Sequence, residues 1–165
     1  MTLTDIISSA EWTRLEKKIN DRFGFNTCVF DTDGYRLTDH QQWPNRLCPA
    51  IKADPRGQSF ICAVAHMNIA MQAQRKRRPL IEACDAGLMK AVVPIFWKDA
   101  FVGAVGSCGF LLDGEEIDTF LINKITGIDE AEITALSGDI RRVSIGQARA
   151  LNDYISQQIQ SVIDG

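Results

Sequence analysis

The chain has 165 residues, 45% hydrophobic and 24% charged, enough apolar side chain for one globular domain spanning residues 1–165 with a buried core. A formal net charge of -3 and a pI of about 5.4 exclude the electrostatics of a nucleic-acid or anionic-membrane binder. Met1 to Ser9 lacks the basic start and long apolar core of a signal peptide or anchor, and no run approaches the length of a membrane span, so a cytoplasmic protein is expected.

In chain order, Ser8-Ser9-Ala10-Glu11 offers a capping box. Trp12, Leu15, Ile19 and Phe23 follow at helical spacing, and Gly24 is placed to end the helix. Phe25 to Phe30 is rich in strand formers, Asp33-Gly34 is a hairpin signal, and Tyr35 to Thr38 is expected to return as the partner strand. Asp39 to Pro55 reads as an irregular, structured loop, because Trp43-Pro44, Cys48-Pro49 and Asp54-Pro55 resist helix. A helix from Gly57 to about Arg77 has Phe60, Ile61, Val64, Met67 and Met71 among its apolar positions and ends in Arg75-Lys76-Arg77-Arg78, cations that complement the helix dipole.

Pro79 to Cys84 is an extended entry, and Asp85-Ala86-Gly87 lets the chain reverse. Leu88 to Trp97 and Phe101 to Leu112 then form two strands around Lys98-Asp99-Ala100. Gly103, Gly106 and Gly109 interrupt the second, which points to a backbone, ligand or cofactor coming close. Helices are expected over Glu115 to Thr126 and Asp129 to Ser137. A last helix opens at Ser144 with the stripe Ile145, Ala148, Leu151, Ile155 and Ile159.

The five cysteines are the sharpest chemical feature, and in a reducing compartment they are free thiols or metal ligands. Cys28 lies inside an apolar strand and reads as a small core residue. Cys48, Cys62, Cys84 and Cys108 sit in a loop, on a helix, at a turn and between glycines. They read either as soft ligands converging on zinc or an iron–sulfur cluster, or as core residues. No C-x-x-C knuckle is present, and the intervals of 14, 22 and 24 residues match no standard pattern. His66 is four residues from Cys62 and either completes such a site, contacts a ligand, or is a hydrogen-bonded histidine on the helix flank; His40 is expected to be exposed. No enzyme is expected, because Asp85 should raise the pKa of the Cys84 thiol and the chain has only two histidines. Trp43, Phe96, Trp97 and Phe110 are either plain core or the lining of an apolar pocket.

The run Cys84-Asp85-Ala86-Gly87-Leu88, then Val92-Val93-Pro94-Ile95, then Gly103 and the glycine-rich end of the next strand resembles the signature of PocR sensory domains. The resemblance covers roughly Trp43 to Leu112. Many members have histidine where this chain has Asp85, and Gly-Gln where it has Cys108-Gly109. It implies a PAS- or GAF-like sensory module that binds a small organic molecule in bacterial signal transduction. The residue reading agrees on an α+β domain, with a central antiparallel sheet of about five strands and helices packed on one side and at the ends. The ligand site is expected around Trp43, Cys84, Asp85, Phe96, Gly106 and Phe110. No output segment is recognised, so signalling is expected through an output protein or by self-association. The first and last helices are surfaces for a homodimer, or simply cover the sheet. The alternative is a metal or iron–sulfur protein whose cysteine-held site is itself the sensor.

Overall fold

The computed structural model describes residues 1–165. A short helix α1 (Leu3–Ile6) precedes α2 (Ser9–Phe23), and the Trp12 indole N–H joins them by donating to the Leu3 carbonyl at 3.0 Å. Ser8 and Glu11 form the expected capping box, and Gly24 ends α2 in the left-handed region at φ 76°. β1 (Asn26–Phe30) follows, but the expected return strand over Tyr35 to Thr38 is reduced to a single bridge between Phe30 and Arg36. The Asp31 carboxylate accepts the amides of Asp33 and Tyr35, both at 2.9 Å, and winds this segment around itself instead of leaving its amides to a ladder.

The stretch expected to be irregular contains α3 (Leu47–Ala53). Pro49 is tolerated because it falls in the first helical turn, where its missing N–H has no partner to lose. Asp54 then caps α4 (Pro55–Gly57), which runs through a π-helical turn (Gln58–Ala63) into α5 (Val64–Lys76). Phe60, Val64, Met67 and Met71, all expected among the apolar positions, face outward, while Ile61, Ala65, Ile69 and Ala73 are buried. The small alanines let α5 approach Val92 and Ala104 of the sheet, which larger side chains would prevent.

β2 (Leu80–Ala83), β3 (Met89–Trp97) and β4 (Ala100–Leu112) form the core of the sheet. Lys98 and Asp99 both have positive φ, 46° and 67°, the conformation that a tight two-residue hairpin turn requires. The strand order is β1-β4-β3-β2, all antiparallel. After α6 (Thr119–Thr126) and α7 (Glu130–Leu136), the two-residue β5 (Arg142–Val143) adds to the end of β4 in parallel, and α8 (Ile145–Asp164) closes the chain. This is an α+β, PAS/GAF-like open sheet.

Helices cover both faces rather than the expected one. Trp12, Leu15 and Ile19 of α2 and Leu151, Ile155 and Ile159 of α8 pack on one face against Val29, Ala91, Val93, Ile95 and Val105. Their apolar stripes are therefore occupied by the sheet. On the other face lie α3, the π turn and α5. α2 is fastened to β1 and to the segment after it by buried polar groups: the Glu16 carboxylate accepts the Val29 amide at 2.8 Å and the Thr38 hydroxyl at 2.5 Å, and Asn20 accepts the Thr27 amide at 3.1 Å.

The glycines of β4 are explained by the chain itself. Gly103 (φ 154°) and Gly109 (φ 101°) sit at the two register shifts between β3 and β4, where β4 carries an extra residue and bends. A Cβ on Gly109 would meet the Pro44 ring, and one on Gly103 the Phe30 carbonyl.

Candidate functional site

Between the second face of the sheet and the α3 to α5 run lies a cavity of about 530 Å³. Register builds its floor. Asn26 of β1, Cys108 of β4 and Lys90 of β3 stand directly opposite one another in a row across the sheet, so their side chains share one face, and all three line the cavity. The turn between β2 and β3 adds Cys84, Ala86 and Leu88; α3 and the segment before it add Trp43, Cys48, Ile51 and Lys52; the π turn and α5 add Ile61, Cys62 and His66. The loop after β1, from Asp33 to Arg36, forms the remaining wall. Fifteen of the 24 lining residues are hydrophobic, so the space favours an organic body over a hydrated ion.

Of the six expected ligand residues, Trp43 and Cys84 line this cavity and four do not. Asp85 is exposed on the outside of its turn. Phe110 is fully buried on the opposite face, its ring centroid 4.7 Å from that of Phe25, because the extra residue at Gly109 turns it there. Phe96 is half-buried far along β3, under the Arg77 guanidinium at 4.1 Å. Gly106 lies beneath a side chain rather than a ligand: a Cβ there would be 2.9 Å from Lys90 Cε and 3.2 Å from the Phe30 ring. The glycine gives the lysine its space.

Cys48, Cys62, Cys84 and Cys108 all line the cavity, and Cys28 does not. All five thiols are free. Burial pushes the Cys62 thiol up to about 11. Burial also raises Cys48, reinforced by the neighbouring Cys108, and raises Cys84 against the opposing backbone amides of Ala86 and Leu88. Burial thus favours the protonated form of Cys48, Cys62 and Cys84. The expected metal or cluster ligation does not fit this arrangement. No three His, Cys, Asp or Glu side chains are grouped to hold a metal ion, as a zinc or cluster site requires.

His66 is buried and stacked on Phe30, the ring centroids 3.6 Å apart. It is not the hydrogen-bonded histidine expected, for neither ring nitrogen has a partner. Burial first, then the charges of Lys90 and Lys52, push its pKa down to about 2 and hold the ring neutral. His40 is half-buried and bonded to Asn20 at 2.9 Å. The residues missed from the sequence are Arg36, Lys52 and Lys90. Lys90 had a readable signal, a lone charge in the otherwise apolar run Met89 to Trp97.

The chain matches the family described as the sensory domain found in PocR over residues 5–164. It belongs to that family. No curated protein and no solved structure matches it. In this PocR domain the signature run Cys84 to Leu88 is the turn at the cavity's edge, with Cys84, Ala86 and Leu88 lining and Asp85 outside. Cys108 and Gly109 also line the cavity. No helix is long and apolar enough to cross a membrane.

Proposed function

We propose that this PocR domain senses a small organic molecule by enclosing it in the cavity between the sheet and α3 to α5, without chemical turnover. The observation that carries the reading is the cavity itself: about 530 Å³, mostly apolar, and walled by the very turn that bears the family signature. Protonated thiols and a neutral, unpaired histidine give no activated nucleophile and base, which favours binding over catalysis. The binding energy would reach the rest of the domain through α3 and α5, the elements whose packing the ligand completes.

A thermal-shift screen of a small-molecule library tests this. A ligand at about a hundredfold excess over its Kd stabilises the fold by about 2.7 kcal/mol, which corresponds to a Tm rise of roughly 5 to 10 °C in a chain of this size. Cys108→Phe, which fills the cavity from a strand position that tolerates an aromatic, should keep the fold and abolish the rise. A rise unchanged in that variant, or no rise with any compound, overturns the proposal, as does recovery of the compound chemically altered. The alternative of a cysteine-held metal has four thiols on one cavity in its favour and their grouping against it. Stoichiometric iron, sulfide or zinc in protein purified without oxygen would reinstate it.

A further inference from the structure

The charged side chains lining the cavity are cations with one exception. Arg36, Lys52 and Lys90 line it, and the only carboxylate among the lining residues is Asp33, exposed at the rim. The three ion pairs of the protein, Arg46 with Asp139, Arg77 with Asp99 and Arg142 with Glu116, involve none of these cations. Lys90 is the extreme case. It is 8% exposed, and its ammonium rests 4.9 Å from the centroid of the Phe30 ring. Glu82 stands opposite it on β2, yet is exposed and makes no ion pair with it. The Lys90 ammonium makes no ion pair and no hydrogen bond within the protein, and has only an aromatic face beside it in a mostly apolar space. The imidazole nitrogens of His66 and the Nε of Arg36 are buried without hydrogen-bond partners.

Resting on the sensory reading above, we propose that the ligand is a carboxylate on a compact apolar body. A carboxylate only accepts hydrogen bonds and offers about four lone-pair sites, which complements an ammonium, a guanidinium N–H and the N–H of a neutral imidazole together. An amide or amine of the same shape brings donors of its own into a site that already has an excess of them. The hydrophobic walls take the body, and the carboxylate supplies the anion that Lys90 lacks.

The test compares hexanoate, benzoate, phenylacetate and indole-3-acetate with the primary amide of each, at fixed ionic strength, by calorimetry and thermal shift. At least one acid is expected to bind about tenfold or more tightly than its amide. Lys90→Met, which keeps the stem and removes the charge, should erase that preference and leave the unliganded fold at least as stable. Should Lys90→Met fail to fold, His66→Phe carries the test through a weakened acid affinity. Amides binding as tightly as acids, a preference that survives in the variant, or a library hit that is neutral while every acid fails, would each overturn the carboxylate and leave the sensory cavity standing. If no compound of any kind binds, both readings fall.

Discussion

His66 is neutral in the fold and free to take a proton once unfolded, so acid works against the native state through it. Its pKa falls from an ordinary 6.5 to about 2, chiefly by burial, so the unfolded chain binds the extra proton everywhere between those values, and stability drops as pH falls below 6.5. At pH 5 the loss from this one group is about 2 kcal/mol. Urea denaturation at pH 7 and pH 5 should show that loss in the parent and not in His66→Phe, whose ring keeps the stack on Phe30. Glu16 acts with the opposite sign, because burial raises its carboxyl and stability from it is lost as pH rises through the raised value; it is common to both proteins and cancels in the comparison. A variant as acid-sensitive as the parent would show that His66 is protonated in the fold.

Asn45 holds α3 in place with both ends of its amide. Its nitrogen donates to the Gly109 carbonyl at 3.0 Å, and its oxygen accepts the Cys48 amide at 2.8 Å, tying the first turn of α3 to the bend in β4. Asn45→Ala leaves a buried acceptor unmet and should cost about 1 to 3 kcal/mol, with faster amide exchange in α3; an unchanged unfolding midpoint would contradict the tether. Elements with strong local signals were readable from the chain alone. A capping box marked the start of α2 and apolar residues at helical spacing marked α2 and α8, while dense β-branched and aromatic content marked β3 and β4. The face of α5 was misread because the π turn changes the helical register and because its packing relies on alanines, which a hydrophobicity pattern undervalues beside methionine and phenylalanine. α3 and the segment after β1 were misread for a different reason, since first-turn tolerance of Pro49 and the Asp31 side chain overrode the usual meaning of proline and of Asp-Gly. The convergence of the four thiols on one space followed from topology; that they form no group able to hold a metal depends on side-chain placement, which no spacing in the sequence encodes.

Three apolar clusters build the molecule unequally. The largest, 18 residues, joins α2 and α8 to one face of the sheet, while clusters of eight and six residues hold the helices on the cavity side. The cavity thus lies within the less heavily packed half. Hydrogen exchange should find the amides of β3, β4 and α8 slowest and those of α3 and the π turn faster, with ligand closing the gap. Equal protection in both halves, before any ligand is added, would show that the domain opens only as a whole.

Lys90 and Gly106 occupy one volume from two neighbouring strands, and this sets a rule for how the lineage can drift. A side chain gained at 106 displaces the ammonium, and a shortened side chain at 90 leaves a hollow that glycine no longer needs to preserve. Gly106→Val alone should therefore destabilise the domain and weaken acid binding. Lys90→Ala combined with Gly106→Val should recover part of the stability, with a coupling of about 1 kcal/mol, while the acid is still not bound. Relatives are accordingly expected to divide into two kinds, those with a cation over glycine and those with a short neutral residue beside a bulkier partner. A change of ligand charge between these kinds is then a paired mutational event, reached through an intermediate that selection tolerates poorly.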